Sequence, residues 1–151
     1  MAKVAYAAIR DTIKTVLEGD ARTNVARIYI EEEPQFGLAD AQKIIAVFMD
    51  RRRAPADQQS LSAGKRTRFL LDLLFVVAFF DMESFKAACD GRDALLGDLE
   101  LVLMDNRTLS GQVSTLYIEG GEFYSAKDSQ ATTFVAVAEI NVTVDVTAIN
   151  T

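Results

Sequence analysis

A long run of alternating apolar and polar residues near the end of the sequence constrains the fold more than any other feature. Side chains two residues apart on a β-strand point to the same face of the sheet. The pattern therefore predicts one strand with a buried face and a wetter face over fifteen residues. The apolar positions are Phe134, Ala136, Ala138, Ile140, Val142, Val144, Val146 and Ala148. Val135 and Val137 interrupt the polar side, so we expect another subunit to cover that end of the strand.

Residues 69–80 form the most hydrophobic stretch of the chain, with Asp72 as its one charged residue. The stretch has twelve residues, whereas a membrane-spanning helix needs about 20. We therefore predict a strand that is buried on both faces.

Apolar periodicity and glycine or proline breaks divide the rest of the chain. The predicted elements are a helix ending near Gly19, strands at 27–30 and 43–49, a loop or flexible hairpin at 51–66, a helix at 82–106, and a strand at 112–118. We expect Asp81, or its neighbour Ser84, to cap the second helix, and Gly91 to mark a kink or break in it. Gly120 and Gly121 predict a tight turn. The order α-β-β-β-α-β-β predicts an α+β fold in which two helices pack on a mainly antiparallel sheet, and we expect a single domain over residues 1–151.

Charge is distributed unevenly along the chain, which has a net charge of −6. The segment 51–68 has a net charge of +5, and the remainder sums to −11. Its basic residues are Arg51, Arg52, Arg53, Lys65, Arg66 and Arg68, set against Asp57. The segment is either a solvated loop or a docking surface for an acidic partner. One candidate partner is the run Glu31, Glu32 and Glu33 of a neighbouring copy. Nucleic-acid binding is disfavoured because no aromatic residues alternate with the basic ones and the rest of the chain is acidic.

Residues that commonly carry catalysis are scarce in this sequence. There is no histidine, which excludes the serine and cysteine triads that need one. Cys89 falls on the apolar stripe of the predicted second helix, where a core thiol is the simpler interpretation. Glu31, Glu32 and Glu33 would point to alternating faces of a strand, so a solvated strand end explains them better than a carboxylate site. We expect no catalytic residue, no cofactor and no metal.

The layout resembles the tail terminator proteins of long-tailed bacteriophages, of the lambda minor tail protein U type. The resemblance covers nearly the whole chain. It lies in the order of the predicted elements and in their types of residue rather than in a signature motif. In the first half of the chain, the resemblance is carried by Thr15-Val-Leu-Glu18, Ile28-Tyr-Ile-Glu-Glu-Glu-Pro34, Ile44-Ile-Ala-Val-Phe48 and the basic loop or hairpin at 51–66. In the second half, it is carried by a helix that leads into Asn106-Arg-Thr-Leu-Ser-Gly-Gln-Val113 before the last two strands.

The resemblance implies a structural virion protein and not an enzyme. Such a protein forms a ring, a hexamer in this family, at the head-proximal end of the tail tube. The ring stops tube polymerisation, contacts the tail tube protein and offers a surface to head-completion (neck) proteins. DNA passes through its channel without specific binding, no membrane is involved, and assembly takes place in the host cytoplasm. Two alternatives stay open: another neck protein, such as a head-closure or head–tail joining factor, and a small ligand-binding α+β domain.

Overall fold

The structure is a computed structural model that describes residues 4–32, 42–53, 66–127 and 134–149. Its elements are α1 (Tyr6–Gly19), β1 (Arg27–Ile30), β2 (Lys43–Arg53), β3 (Arg66–Asp81), α2 (Phe85–Asp105), β4 (Thr115–Lys127) and β5 (Phe134–Ile149). This order confirms the predicted α-β-β-β-α-β-β succession. Neither described helix is long and apolar enough to cross a membrane.

The five strands form one sheet in the order β1-β2-β3-β5-β4. β1 runs parallel to β2, and the three other pairings are antiparallel. The mainly antiparallel sheet is therefore as predicted, and the sequential strands β2 and β3 are neighbours in it. The last strand in the chain, β5, lies between β3 and β4.

Both helices pack on the same face of the sheet and form the main core with it. α1 contributes Ile9, Ile13 and Leu17, and α2 contributes residues such as Leu99 and Leu103. The apolar side of β5 faces these helices, as the alternation predicts. Its buried members in this core are Ala138, Ile140, Val142, Val144 and Val146. We call the opposite side of the sheet the outer face.

The predicted end of β2 is wrong. The strand continues through a register shift between Met49 and Arg51 and ends at Arg53. A β-bulge of this kind inserts an extra residue without ending the ladder. Arg51, Arg52 and Arg53 thus belong to a strand and not to a loop, and Arg66 already belongs to β3. The rest of the predicted loop or hairpin, residues 54–65, lies outside the described residues.

Gly120 and Gly121 do not form the predicted turn, because both lie inside β4 next to a second register shift. A β-carbon on Gly121 would lie 1.8 Å from the backbone oxygen of Glu139. The glycine therefore allows the close approach of β5 that keeps β4 paired as far as Lys127.

The second helix starts at Phe85, where the Ser84 hydroxyl accepts a hydrogen bond from the amide of Ala87 at 3.0 Å. Ser84, the alternative of the two predicted residues, is therefore the cap. The helix continues through Gly91 without the predicted break. The glycine is explained by packing, since a β-carbon there would lie 2.5 Å from the ring of Phe79.

Candidate interaction surface

The outer face of the sheet has an apolar part and a charged part. The apolar part contains buried residues from β1, β2 and β3 with half-buried neighbours from β2, β3 and β5. They are Tyr29, Ile44, Ala46, Ala78 and Phe80, with Phe48, Val76, Val135 and Val137 packed against them. Val135 and Val137 thus have apolar neighbours within this chain, and their contact with another subunit stays a prediction.

The charged part of the outer face is centred on Asp72, whose side chain is only 13% exposed. Its carboxylate accepts hydrogen bonds from Nε of Arg51 and Nε of Arg53, each at 3.1 Å. The hydroxyl of Thr143 on the adjacent strand donates a further hydrogen bond at 2.9 Å. The bulge in β2 produces this arrangement, because it brings Arg51 opposite Asp72 in the β2–β3 register. Side chains two residues apart on a strand point to the same face, so Arg53 lies on the same side of the sheet as Arg51.

A second ion pair lies on the same face, between Arg68 of β3 and Asp145 of β5. Nε of Arg68 lies 2.9 and 3.0 Å from the two carboxylate oxygens, and Nη2 lies 2.6 Å from one of them. The Asp145 side chain is 7% exposed. Such forked geometry is the stronger form of an arginine–carboxylate contact.

The electrostatic environment of Asp72 favours its ionised form. Burial raises the pKa of this carboxyl, but the hydrogen bonds from Arg53, Thr143 and Arg51 together outweigh that effect and leave the pKa below its ordinary value. The same contact raises the pKa of Arg53, chiefly through the hydrogen bond to Asp72. We call Arg51, Arg53, Asp72, Arg68 and Asp145 the charged cluster.

The predicted basic residues are therefore only partly available for a partner. Three of them bind carboxylates of their own chain in the charged cluster. Arg52 lies on the helix side of β2, where its guanidinium donates to the Tyr6 hydroxyl at 2.9 Å and lies 4.6 Å from the centre of the Phe69 ring. Arg66 is the first residue of β3, and Lys65 lies outside the described residues.

The acidic run has a local structural role at its first residue. Glu31 follows β1 with a positive φ of 56°. Its amide donates to the Val47 carbonyl at 2.8 Å, and its carboxylate accepts from the amide of Met49. Glu32 is exposed, and Glu33 lies outside the described residues. Glu31 thus lies beside β2 at the bulge, where it binds Met49, two residues before Arg51.

Another surface, which the sequence did not predict, follows α2 and β4. A groove of about 590 Å³ runs between them and is lined by Asp93, Ala94, Gly97, Asp98, Glu100, Leu101, Met104 and Ile118. Leu101 is 55% exposed and Met104 is 48% exposed. β4 ends the strand order, so its second edge has no strand partner among the described residues. The sequence signal for this groove is the pair of apolar residues at 101 and 104 of α2. Helical periodicity separates the buried face from the exposed face only approximately, so it does not show that these two side chains are exposed.

Within residues 4–32, 42–53, 66–127 and 134–149, no three histidine, cysteine, aspartate or glutamate side chains are placed to hold a metal ion. Cys89 is half-buried on α2.

The element order, with both helices on one side of a five-stranded sheet, defines a two-layer α+β protein. Its structure is similar to a solved chain described as "Cryo-EM Structure of an Extracellular Contractile Injection System, PVC sheath/tube terminator in extended state". The two are 13% identical with a TM-score of 0.47, and the match covers 96% of this chain and 57% of the other. This chain therefore spans just over half the length of that terminator. No family model matches the sequence, and the search of curated proteins finds no match.

Proposed function

We propose that this protein is a structural, non-enzymatic tail terminator that forms a ring, a hexamer, at the head-proximal end of a phage tail tube. The proposal is supported by the sequence layout that resembles the family. The element order expected from that layout is also the order found in the structure.

The separation of charge within one chain is the observation that carries the proposal. A closed ring needs head-to-tail contacts, in which two different surfaces of one subunit complement each other. The segment 51–68 has a net charge of +5, whereas residues 85–124 have seven acidic and three basic residues, a net charge of −4. Asp72 and Asp145 offset two of the positive charges of the segment 51–68, and the net charge of +3 that remains still favours attraction between copies of this chain.

The mechanism is geometric. One side of the ring mimics the next ring of the tube and binds the last tube subunits. The other side does not accept a tube subunit and instead binds head-completion proteins, so polymerisation stops. The acidic surplus of the chain opposes adhesion of DNA, because binding to the phosphate backbone requires lysine and arginine. The protein accordingly resides in the virion, at the neck.

Electron microscopy of particles assembled without this protein tests the proposal. We expect tubes of uncontrolled length, and a uniform length after the wild-type chain is supplied in trans. Tails of normal length beside heads that do not join them would contradict the terminator role and favour a head-closure or head–tail joining factor. A thermal-shift screen against small ligands and divalent metals addresses the ligand-binding alternative, since a ligand that prefers the folded state raises its stability.

A further inference from the structure

The sheet has two ends, and a helix packs on the same face at each of them. β1 ends the strand order on one side, and β4 ends it on the other. α1 packs on β1, and α2 packs on β4 as well as on β3 and β5. Among the parts of the chain that the structure describes, neither end strand has a strand partner on its second edge. We call β1 with α1 the first end and β4 with α2 the second end.

The second end exposes large apolar side chains on both of its elements. They are Leu101 and Met104 of α2, and Tyr117, Phe123 and Tyr124 of β4. Phe123 is 61% exposed. An edge strand of this kind is a template for pairing with another strand, and exposed apolar patches mark interaction sites. The second end therefore offers main-chain hydrogen bonds and an apolar groove to the same partner.

The charges on the outer face of β4 restrict the strand that can pair there. Glu122 lies opposite Glu139 of β5, which in turn lies opposite Val76 on the outer face of β3. Glu119 lines the outer-face cavity around Asp72. A second β4 in two-fold contact would place these glutamates against an identical row, and like charges across a strand pair are destabilising. A partner strand with a basic residue on the outer face is favoured instead.

The first end has such a strand. Arg27 of β1 is exposed, and its guanidinium lies 5.6 Å from the centre of the Tyr29 ring, which belongs to the apolar part of the outer face. Ile28 and Ile30 lie on the helix side of β1, where they are half-buried against the main core. Val25, two residues before β1, is 58% exposed. The first end thus offers a basic residue towards the glutamates of β4 and an apolar side chain towards the groove.

The strand directions agree with this pairing. β1 is parallel to β2, and the three steps from β2 to β4 are antiparallel, so β1 and β4 of one chain run in opposite directions. A head-to-tail neighbour keeps the orientation of the first copy, so its β1 runs antiparallel to β4, the slightly more stable form of pairing. Its α1 then lies on the same side of the extended sheet as α2. Gly97 of α2 leaves room there, because a β-carbon built on it would meet no atom within 4 Å.

We infer that the second end of one copy binds the first end of the next copy, with β1 extending the sheet at the edge of β4. This contact rests on the proposed ring, and it supplies the two unlike surfaces that head-to-tail closure requires. Arg27 then lies beside Glu119 and Glu122, and Val25 packs into the groove against Leu101.

Site-specific crosslinking of the purified full chain tests the inference. In a Cys89→Ser background, Val25→Cys places a thiol at the first end and Leu101→Cys places one at the second end. A short bifunctional thiol reagent then links only ends that touch, and denaturing gel electrophoresis counts the linked chains. The matched control combines Leu101→Cys with Met82→Cys, a position that is as exposed as Val25 but follows the central strand β3. Circular dichroism checks that each variant is folded.

We expect the chain with thiols at both ends to give a ladder of linked chains, and an equimolar mixture of the two single-thiol chains to give dimers. Neither single-thiol chain alone should give a product, and the control should give no ladder. Absence of the ladder over a concentration series overturns the inference, as does a ladder of equal yield in the control. So does a dimer from Leu101→Cys alone, which would show a two-fold contact between second ends.

Charge reversal tests the strand pairing independently. We expect Arg27→Glu to require about fivefold more protein than the wild type for half-assembly in sedimentation velocity, which corresponds to about 1 kcal/mol. An equimolar mixture with Glu119→Lys, Glu122→Lys chains should recover assembly, because opposite charges face each other in every contact of an alternating ring. Assembly of Arg27→Glu at the wild-type concentration, or no recovery in the mixture, would contradict the pairing of β1 with β4.

These outcomes are separable from a failure of the proposed function. A ladder combined with normal tube length in particles lacking the protein would retain the contact and reject the terminator role. Uncontrolled tube length combined with absence of the ladder would do the reverse.

Discussion

Asp72 and Thr143 lie opposite each other on β3 and β5, and the Thr143 hydroxyl donates a hydrogen bond to the Asp72 carboxylate at 2.9 Å. Both residues are buried. The most hydrophobic strand of the protein thus contains a charge that is stabilised from both neighbouring strands, by two arginines of β2 and one hydroxyl of β5.

This arrangement predicts a specific pH dependence of stability. The pKa of Asp72 is lower in the folded protein than in the unfolded chain, where an aspartate titrates near about 3.9. Its contribution to the free energy of unfolding is therefore fully present above about pH 5 and is lost as the pH falls through the folded pKa. We expect Asp72→Asn to be less stable than wild type at pH 7, and the difference to shrink towards pH 3, as measured by urea unfolding. Asp11→Asn, at an exposed position of α1, is the control, and a constant difference between wild type and Asp72→Asn across this range would contradict the prediction.

Removal of the arginines that bind Asp72 should also destabilise the monomer. The sequence alone suggests that alanine at positions 51, 52 and 53 would leave the monomer folded and weaken assembly. The structure changes that expectation, because Arg51→Ala with Arg53→Ala removes two hydrogen-bond donors from a buried carboxylate that also binds the Thr143 hydroxyl. We expect a lower Tm for this double variant than for Arg52→Ala, whose side chain lies on the other side of the strand. Equal Tm values in thermal unfolding followed by circular dichroism would show that the ion pairs contribute little.

Two glycines of α2 should respond in opposite ways to alanine. Gly91→Ala places a methyl group where the Phe79 ring lies, and overpacking of this kind costs about 1–3 kcal/mol. Gly97→Ala meets no obstacle and should increase the free energy of unfolding by up to about 1 kcal/mol through helix propensity. Urea unfolding of dilute, monomeric protein measures both changes. A stabilised Gly91→Ala variant would show that Phe79 moves aside at no cost.

Burial of β5 predicts a severe effect at Val142. This side chain is fully buried between the helices and the sheet, and aspartate there would be an unpaired buried charge. We expect Val142→Asp to lower the free energy of unfolding by more than about 4 kcal/mol, which is enough to unfold a marginally stable domain. Asn141→Asp, at the exposed neighbouring position, should remain folded. A cooperative thermal transition in Val142→Asp near the wild-type Tm would contradict the assignment of this residue to the core.

The sequence predicts those parts of the fold that depend on local periodicity. The alternation from Phe134 to Ala148 locates β5 and its buried side, and the hydrophobic run at 69–80 locates β3. The ends of β2 and β4 were not predictable in this way, because each strand continues past a bulge by pairing with a strand elsewhere in the chain. Gly121 illustrates the point, since the backbone of Glu139 that requires it belongs to β5.

The candidate surface was less predictable for the same reason. The basic residues were evident from composition, but their carboxylate partners were not. Arg68 and Asp145 are 77 residues apart in sequence, and only the β3–β5 register brings them together. The groove between α2 and β4 likewise depends on α2 lying beside β4, which no local pattern specifies.

The position of β5 between β3 and β4 also has a consequence for how the chain is made. The β3–β5 pairing spans all sixteen residues of β3, from Arg66 opposite Ile149 to Asp81 opposite Phe134. During translation, β1 to β4 leave the ribosome before the strand that joins β4 to the sheet exists. Pairings between distant segments form slowly, and unpaired hydrophobic strands aggregate readily. The nascent chain therefore lacks the strand partner for one edge of β3 until residues 134–149 emerge, and a chain truncated before them lacks the strand that joins β4 to the sheet.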